Sequence, residues 1–562
     1  MGEVETPNGG GNEAAASQAS KQDPAANEGA APGAGSSRRD FLIGAAFAGV
    51  AGVGAVYVPR YLGGTRIVPA AAARSARPLW LTAASATGPT QADWTALRNK
   101  LSTHKLVRPG QPGYQVAKEL FEQRFDSLKP AGLAFCRTAA DVAACVSFVN
   151  AFNLPVRARS GGHSYAGWSS VTGGLVIDVS EMNSFSVGTG TVTVGTGMDL
   201  INFYDKLAAH GLAVPGGSCP TVGIAGLTLG GGIGVLSRAF GLTCDNLESL
   251  KIVTADGSVL TCDSTRNSDL YWASRGGGGG NFGVATSFTF RTHKLTKLAV
   301  FFLSWPWSQA GRVVRAWQSW APHAPDALWS NLHLSSAFGG SPVLSVGGTY
   351  TGTVAGLDRL LGDLYARAGK PATQFVAEES YLNAMLLEAG CSSIPVHACH
   401  TGQGGQLPRV PSYAKSDFFT SKLNDAGITA LLGGIERLHR IRGARGGVGS
   451  VAFDACGGAM NRVPPRATAF VHRNALFLAQ YSTVWPWPGS ADGVRNQHRW
   501  LISYYRSVHP HASGKAYQNY IDPGLTGWQS AYYGVNYQRL QQVKSTYDPQ
   551  QVFTFPQAIR PA

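Results

Sequence analysis

Three stretches dense in glycine limit what this chain can fold into. They read RSGGHSYAG, GGSCPTVGIAGLTLGGGIG and RGGGGGNFGV, and they lie between Arg159 and Val284. Each glycine costs the folded backbone roughly 0.5–1 kcal/mol in entropy relative to alanine. A cost repeated in three places indicates that another group approaches the backbone closely. The alternative is a set of ordinary turns, with His163 as a surface histidine.

These glycines do not belong to the common nucleotide-binding motifs. No Lys-Ser or Lys-Thr follows them, as a P-loop requires. The run GGGIG does not open a strand–turn–helix unit with an acidic residue about twenty positions on, as a nicotinamide site requires. Backbone N–H groups of glycine-rich loops nevertheless cradle anions, and the pyrophosphate of a dinucleotide is a natural guest. The pattern therefore favours a large, flat cofactor that carries phosphate, with purely structural glycines as the alternative.

Hydrophobic patterning divides the chain into two regions of different character. From about Leu133, GLAFC, RTAADVAACVSFVNAFN and LPVRARSGG read as strand, helix and strand. From about Lys294 to Pro523, tryptophan-rich strands alternate with amphipathic helices, which predicts an α+β region built on an antiparallel sheet. A final segment from about Trp528 reads as a helix with a tail, and we expect it to pack back on the first region.

Charge and cysteine content exclude several classes of function. The 47 Lys and Arg against 33 Asp and Glu give a formal charge of +14, but the basic residues are scattered, so we expect no nucleic-acid partner. Eight cysteines in 562 residues are too few for a disulfide scaffold, and pairing after export is left open. The stretch CSSIPVHACH lacks paired Cys-x-x-Cys spacing, so we predict no metal site at Cys391, His397, Cys399 and His400.

The N-terminal region resembles an export signal. Residues 1–36 are rich in Gly, Ala and Asn and read as a disordered leader. Arg38 and Arg39 precede an uncharged stretch at 41–59, so that residues 37–76 resemble a twin-arginine signal. A membrane span is the alternative, but the many small residues make this stretch only mildly hydrophobic. We expect a periplasmic or extracellular protein that uses the twin-arginine export machinery and keeps no membrane span after processing.

Five motifs in order resemble the berberine-bridge-enzyme-like FAD oxidoreductases, in the superfamily of p-cresol methylhydroxylase (PCMH) and vanillyl-alcohol oxidase. They are RSGGHSYAG, GGSCPTVGIAGLTLGGGIG, YWASRGGGGGNFGV, AYQNYIDPG and YYGVNYQRLQQVKSTYDPQQVF. The resemblance covers about Phe125 to Ile559. It implies an α+β fold, with a two-part FAD-binding domain of the PCMH type and a substrate domain whose antiparallel sheet is covered by helices. The expected order is an N-terminal extension (77–124), the FAD-binding domain (125–296), the substrate domain (297–523) and a C-terminal segment that returns to the FAD domain (524–562).

The resemblance also implies the cofactor-binding residues. In this family the histidine of the SGGH turn carries the flavin through its 8α-methyl group, and the cysteine of GGxCPT bonds C6. These positions are His163 and Cys219, so FAD is expected to be bicovalently bound, with single or noncovalent attachment as the alternative. Other positions are implied by the same resemblance. The family's pyrophosphate loop corresponds to Ser160, Gly161, Gly162 and Ser164, and its second flavin loop to Gly223, Gly226, Gly230 and Gly231. The strand beside the adenine corresponds to Gly283 and Val284, and a residue close to the isoalloxazine corresponds to Asn536.

The stretch AYQNYIDPG resembles the family's Tyr-x-Asn-Tyr-x-Asp motif, in which the tyrosine after Asn acts on the substrate. That residue is Tyr520, with Tyr517 and Asn519 as neighbours in the same site. A tyrosine has an ordinary pKa of about 10, so Tyr520 must be stabilised as a phenolate or gain that character only as the proton moves. The alternative is a strand whose alternating tyrosines fill a core.

We therefore expect an FAD-dependent enzyme that oxidises an alcohol or lactol carbon of a small molecule. Tyr520 would take the hydroxyl proton while hydride passes to flavin N5. Val222 matches the position at which the family separates oxygen-reactive members from dehydrogenases, which have leucine there, so an oxidase that reduces O₂ to H₂O₂ is favoured. A dehydrogenase with another acceptor and a flavin carrier without turnover are the alternatives. Sugars, aromatic alcohols and secondary metabolites are all open as substrates, and Trp305 and Trp307 either stack on them or fill the core.

Overall fold

The computed structural model describes residues 88–337, 340–402, 404–438 and 447–562. The predicted leader, the twin-arginine region and the N-terminal extension up to residue 87 lie outside the described residues. Among the helices of the described part, none is both long and apolar enough to cross a bilayer.

The first part of the chain forms a four-stranded sheet, a five-stranded sheet and a two-stranded ribbon. Its strands are β1 (Leu106–Val107), β2 (Gly132–Phe135), β3 (Val156–Arg159), β4 (Leu175–Asp178), β5 (Phe185–Val187), β6 (Thr191–Gly195), β7 (Leu212–Ala213), β8 (Leu247–Val253), β9 (Val259–Cys262), β10 (Val284–Arg291) and β11 (His293–Lys294). Its helices are α1 (Gln91–Lys100), α2 (Tyr114–Ala117), α3 (Ala139–Phe152), α4 (Leu200–Ala208), α5 (Ile224–Leu229), α6 (Ser237–Phe240) and α7 (Ser268–Ala273), with 3₁₀ turns at Gln123–Phe125 and Thr243–Asn246.

The predicted strand–helix–strand unit places the first glycine loop at one edge of its sheet. The strand order is β1-β2-β4-β3, and both β2 and β3 run parallel to β4. Thr138 begins α3 with a capping box to Asp141, which satisfies free N–H groups of the first turn. Strand β3 ends at Arg159, whose guanidinium pairs with Asp178 at the end of β4. The loop that starts at Ser160 therefore leaves the carboxyl ends of the three parallel strands of this sheet.

The second part is a seven-stranded antiparallel sheet of order β15-β12-β14-β13-β17-β18-β16. Its strands are β12 (Lys297–Trp305), β13 (Leu328–Ala337), β14 (Val343–Tyr350), β15 (Thr373–Ser380), β16 (Ser412–Phe419), β17 (Val448–Ala455) and β18 (Phe477–Val484). Its helices are α8 (Ala310–Trp320), α9 (Val354–Ala368), α10 (Tyr381–Glu388), α11 (Asp425–Leu438), α12 (Ala459–Arg462) and α13 (Ala491–Val508), with 3₁₀ turns at Trp307–Gln309, Ala321–His323, Val396–Ala398 and His509–His511. The predicted α+β fold with an antiparallel sheet covered by helices is confirmed.

The two faces of this sheet differ in polarity because side chains alternate along each strand. Leu332 and Phe453 lie opposite each other and belong to the core beneath helices α8, α9, α11 and α13. Asn331 pairs with Asp454 on the other face, where Gln480 of β18 also lies. A sheet with one apolar face and one polar face leaves the polar side for a ligand.

The C-terminal segment packs on the first part of the chain. It contains α14 (Trp528–Tyr533), a 3₁₀ turn (Gly534–Asn536) and α15 (Tyr537–Tyr547). Lys544 is fully buried, pairs with Asp548 at 2.6 Å, and donates to the carbonyl oxygens of Asn281 at 2.5 Å and Phe553 at 2.7 Å. A buried cation with three acceptors holds the segment against the third glycine stretch.

Two alternatives from the sequence are decided by the fold. The stretch AYQNYIDPG is a loop, so the alternating strand of core tyrosines is wrong. Trp305 belongs to the core on the helical side of the sheet, and its indole N–H donates to Gly369 O at 3.0 Å. Trp307 packs against the same core and donates to Glu436. Trp305 therefore fills the core, and the partly exposed Trp307 lies on the same helical side of the sheet, away from its polar face.

The stretch CSSIPVHACH contains a disulfide between Cys391 and Cys399. Since both sulfur atoms are engaged in that bond, they cannot serve as thiolate ligands for a metal. His400 pairs with Asp199 through Nδ1 at 3.1 Å. The segment is thus a cross-linked loop anchored to the start of α4.

Candidate active site

A deep cavity lies between the glycine loops of the first part and the polar face of the seven-stranded sheet. Segments 160–164, 217–219 and 278–281 contribute to its walls, one from each glycine stretch. Opposite them lie Asp454 and Gln480 of the sheet. The three stretches are separated in sequence, so only the folded chain brings them to one ligand-sized space.

The backbones of the first two glycine loops lie directly against each other. A Cβ atom on Gly161 would collide with the backbone N of Gly223 and lie 2.7 Å from Thr221 O. A Cβ atom on Gly223 would collide with Ser160 Oγ. That hydroxyl donates to Thr196 O at 2.8 Å, so it is fixed in place. Both glycines line the cavity, and neither position has room for a larger residue.

The rest of the first loop turns the chain sharply at the cavity wall. Gly162 has a φ of +70°, in the left-handed region that favours glycine. Ser164 Oγ accepts a hydrogen bond from Trp168 N at 3.2 Å, which closes the next turn. Gly162 and Ser164 both line the cavity, and their contact with a pyrophosphate stays a prediction. Between them stands the histidine that the sequence singled out.

His163 and Cys219 face the same cavity from the two loops. His163 Nε2 is hydrogen-bonded to Thr221 Oγ1 at 2.8 Å, and Phe121 stacks on the imidazole at 4.1 Å between ring centroids. Burial lowers the pKa of His163 to about 3, so the ring is neutral. Burial raises the pKa of Cys219 to about 11, although hydrogen bonds to Thr221 and Val222 work in the opposite direction. The cavity thus holds a neutral imidazole and a neutral thiol, and no partner of His163 Nδ1 occurs within the described residues.

The second glycine loop contributes Val222 and Gly226 to the wall, while Gly230 and Gly231 lie behind it. A Cβ atom on Gly230 would collide with Asn519 Oδ1. Gly231 has a φ of +127°, and a Cβ atom there would lie 2.8 Å from the Phe470 ring. These two glycines therefore let the AYQNYIDPG loop lie against the second glycine loop.

Tyr517 and Asn519 are held firmly, and Tyr520 is not. The phenolic oxygen of Tyr517 accepts hydrogen bonds from the backbone N–H groups of Gly232 at 2.9 Å and Ile233 at 3.2 Å. Asn519 Nδ2 donates to the same oxygen at 2.9 Å. All three side chains line the cavity, but the Tyr520 hydroxyl makes no hydrogen bond within the described residues. Tyr520 is therefore the phenol that is free to meet a ligand.

Asp454 is a cavity residue that the sequence analysis missed. It lines the cavity near Tyr520, and its carboxylate makes no hydrogen bond within the described part of the chain. Burial raises the pKa of Asp454 to about 7. Burial also raises the pKa of Tyr520 well above its ordinary value, and the negative charge of Asp454 adds to that effect. Tyr520 is thus a neutral phenol beside a carboxyl group that titrates near neutrality, and a standing phenolate is disfavoured.

Two further polar groups complete the substrate side of the cavity. Gln480 Nε2 donates to Tyr165 Oη at 2.7 Å, and the Tyr165 ring lies 5.9 Å from that of Tyr520. Trp329 also lines the cavity. No local motif marks Asp454, Gln480 or Trp329. The signal that could have found them is their shared alternation on the polar face of the sheet, which needs the strand pairing to be known.

The cavity offers unpaired polar atoms of the kind that a flat, polar cofactor would satisfy. Arg157 Nε, Trp329 Nε1 and Gln518 Oε1 are buried without a partner within the described residues, and all three residues line the cavity. Burying such groups unpaired costs about 1–3 kcal/mol each. Gly283 and Val284 line the cavity at the start of β10, and their place beside the adenine stays a prediction. The close glycine backbones and these orphaned atoms fit the predicted FAD.

Asn536 lies outside the cavity walls. Its amide donates to the carbonyl oxygens of Pro465 at 2.8 Å, Thr468 at 3.1 Å and Ala469 at 3.3 Å. It therefore fixes the 465–469 segment, and the expected place of Asn536 in the wall of the flavin site is not seen.

Comparison with known families and proteins agrees with this geometry. Residues 130–263 match the FAD binding domain family, and residues 516–560 match the family described as berberine and berberine like. The chain is 35% identical over 467 residues to the uncharacterized FAD-linked oxidoreductase YvdP of Bacillus subtilis. The aligned region covers 82% of this chain and 98% of that protein. It is 30% identical over 469 residues to the xylooligosaccharide oxidase of Thermothelomyces thermophilus, with 77% and 88% covered.

A solved structure shows the same fold. The wild-type BBE-like 1 protein of Physcomitrella patens aligns with a TM-score of 0.74 and 31% identity, covering 82% of this chain and 97% of that one.

Gly161→Ala should separate the two glycine loops. The added methyl group collides with backbone atoms that no side-chain rotation can move, so we expect a stability loss of about 1–3 kcal/mol and loss of most bound FAD. FAD per chain is measured from the visible absorption of the purified protein, and stability from urea unfolding. Gly362→Ala in α9 is the matched control, because nothing lies within 4 Å of its added Cβ. A Gly161→Ala protein with full FAD content would show that the loop contact is dispensable.

Proposed function

This chain belongs to the berberine-bridge-enzyme-like FAD-linked oxidoreductases, and we propose on that basis that it oxidises an alcohol or lactol carbon with O₂ as the acceptor. The observation that carries the proposal is Tyr520. Its free hydroxyl stands between the FAD-binding loops and the polar face of the sheet. A substrate hydroxyl placed in this cavity meets a proton acceptor on one side and the cofactor site on the other.

Bound FAD supplies a two-electron acceptor for the hydride of the substrate carbon. The chain's own contribution is to bind, orient and deprotonate. Because burial keeps the Tyr520 phenol neutral, Tyr520 takes the substrate proton only as its own proton moves on. Asp454, whose pKa burial raises to about 7, is the carboxyl group in the same cavity that can receive that proton, and because the two side chains are not hydrogen-bonded to each other, a bound hydroxyl or water must connect them. Tyr520 is the catalytic residue in this scheme, and Asp454 acts through it.

The proposed substrates are sugars with a free lactol carbon, with aromatic and secondary-metabolite alcohols as a second class. Two observations favour sugars. The wall beside Tyr520 is polar, through Gln480 and Tyr165, and such groups suit a ligand with several hydroxyls. One of the relatives is a xylooligosaccharide oxidase, an enzyme named for a sugar substrate. Anaerobic bleaching of the flavin against a panel of sugars and aromatic alcohols tests this choice, and bleaching by aromatic alcohols alone would contradict it.

We further propose that FAD is attached covalently through both His163 and Cys219. Support comes from the two neutral nucleophiles facing one cavity from the two glycine loops. A non-catalytic flavin carrier is a weaker proposal, because a carrier has no use for a tyrosine with a free hydroxyl beside a carboxyl group.

Acid precipitation of the denatured protein tests the covalent links. We expect the pellet of the parent protein to stay yellow, each of His163→Ala and Cys219→Ala to keep one link, and the double variant to release all flavin to the supernatant. Cys262→Ala is the control, since this thiol is buried in the core away from the cavity. Release of free FAD from the denatured parent would rule out covalent attachment.

Tyr520→Phe should leave the FAD content unchanged and slow anaerobic flavin reduction by about 10²–10⁴-fold, the range for a lost general base. Stopped-flow absorbance measures the rate. Tyr365→Phe in α9, whose hydroxyl makes an exposed hydrogen bond to Gln374, controls for the loss of a phenol elsewhere. If Tyr520→Phe reduces as fast as the parent, the base lies elsewhere, and Tyr517 is the next candidate.

The pH profile separates Asp454 from a purely structural role. Asp454 must be ionised to receive a proton, so the reduction rate of the parent should rise as pH passes through about 7. In Asp454→Asn the reduction rate should no longer rise as pH passes through about 7, while the FAD content stays unchanged. An unchanged limb in Asp454→Asn would remove the residue from the proton path.

Val222→Leu tests oxygen as the electron acceptor. Val222 lines the cavity just after Cys219, and a leucine extends one carbon further into that space. We expect the variant to consume O₂ more slowly after reduction, with little change in reduction by substrate. Val259→Leu, at an exposed position, is the control. Slow reoxidation of the parent itself would favour a dehydrogenase with another acceptor.

Export by the twin-arginine route is proposed from Arg38 and Arg39, and the Cys391–Cys399 disulfide is consistent with an oxidising compartment. The paired change Arg38→Lys and Arg39→Lys should retain the protein in the cytoplasm, as measured by cell fractionation. Unimpaired export of that variant would point to a different signal.

A further inference from the structure

Helix α4 holds the segment that carries Cys219. The backbone N–H of Leu200, the first residue of the helix, donates to Val222 O at 3.0 Å. The backbone N–H of Ile201 donates to Pro220 O, also at 3.0 Å. The first turn of a helix has N–H groups without partners inside the helix, and two of them here bind the chain just after the thiol.

Two further contacts join α4 to the outer parts of the same segment. The hydroxyl of Tyr204 donates to Gly217 O at 2.6 Å, two residues before Cys219. Asp199, which precedes the helix, pairs with Gly223 in an antiparallel β-bridge. The backbone on both sides of the thiol is therefore bonded to one helix, and its position follows the position of that helix.

The loop closed by the Cys391–Cys399 disulfide packs against the same end of α4, and we call residues 391–400 the disulfide loop. Ile201 is fully buried in a cluster with both cysteines. His400 Nδ1 pairs with one carboxylate oxygen of Asp199 at 3.1 Å, while the other carboxylate oxygen caps the helix. The disulfide loop thus braces the helix end that binds the Cys219 segment.

His163 has supports that do not involve α4. Ser160 Oγ, at the start of its loop, donates to Thr196 O at 2.8 Å, and Phe121 stacks on the imidazole. The hydrogen bond to Thr221 reaches the Cys219 segment, but the loop contact and the stacking remain if that segment moves. The two attachment residues therefore depend on different parts of the structure.

We propose that the disulfide loop and α4 are positioning elements for Cys219, which hold its thiol where it bonds C6 of the flavin. This inference rests on the proposed covalent attachment. In that bond formation the thiol and flavin C6 each lose one hydrogen, and the two electrons and two protons pass to the flavin and then to O₂, which becomes H₂O₂. Ile201, Asp199 and His400 are positioning residues, because none of them lines the cavity.

The effect of the brace on Cys219 follows from the distance that bond formation requires. The reacting atoms must lie about 3–3.5 Å apart, and a misplacement of about 1 Å can cost about 10²-fold in rate. Opening the disulfide gives residues 391–400 more conformations and takes the packing partner from Ile201. The Cys219 segment then gains freedom through its hydrogen bonds to α4, whereas the glycine turn of His163 stays in place.

Peptide mass spectrometry tests the proposal at each attachment site. The FAD-loaded protein is purified at a fixed time after induction, denatured, treated with iodoacetamide and digested, so that Cys219 carries either flavin or the alkyl group. In the parent, both Cys219 and His163 should carry flavin. In the double variant Cys391→Ala and Cys399→Ala, the flavin-linked fraction of Cys219 should fall at least about threefold, because a displaced thiol reacts slowly, while that of His163 stays unchanged.

The matched control is the double variant Cys136→Ala and Cys145→Ala. It also removes two neighbouring buried sulfur atoms, 3.8 Å apart, from a different core cluster, and it should keep both links. His400→Ala leaves the disulfide intact and removes the pair with Asp199, so it should lower the Cys219 link in the same selective way. His323→Ala, at an exposed histidine, is its control.

Two results would overturn the proposal. Parallel loss of flavin from Cys219 and His163 would show general loosening of the protein, and full linkage of Cys219 in the disulfide variant and in His400→Ala would show that the brace is not needed. If the disulfide variant does not accumulate, His400→Ala alone decides. Failure of the covalent proposal is seen separately in the parent, as a Cys219 that is fully alkylated, and it removes this inference with it.

Discussion

The contact between the backbones at Gly161 and Gly223 is the constraint on which the site depends. At this point two loops that start from different parts of the chain approach so closely that no Cβ atom fits at either position. The contact places His163 on one loop and Cys219 on the other against one space. It also explains why the chain carries so much glycine there, since the entropy cost of each glycine is offset by an approach that no other residue permits.

The seven-stranded sheet forms the wall opposite the glycine loops, and a different physical principle determines which of its residues face the cavity. Alternation along the strands of the seven-stranded sheet gives it one face for the helices and one face for the ligand. Asp454 and Gln480 are polar residues on strands whose neighbours are apolar, and they stand on the ligand face. The helices supply the burial that keeps this sheet in place, and the polar face carries the groups that handle protons and hydroxyls.

Burial sets the protonation states in the cavity. It keeps His163 and Cys219 neutral, and it raises the pKa of both Tyr520 and Asp454. A tyrosine of this kind cannot be a standing base, which is why the carboxyl group beside it matters for the proposed proton transfer. The AYQNYIDPG loop supports this arrangement, because Tyr517 and Asn519 are fixed by hydrogen bonds while the Tyr520 hydroxyl is left free.

The sequence by itself determined the family and most of the glycine-rich wall of the cavity. Its glycine loops are local motifs, because a close backbone approach needs a residue without a side chain at a particular place in the chain. The positions of Gly230 and Gly231 behind the wall, and of Asn536 outside it, were decided only by the tertiary structure. The same holds for Asp454 and Gln480. These residues come from two different strands, and no local pattern states which strands pair or which face of a sheet meets the cavity.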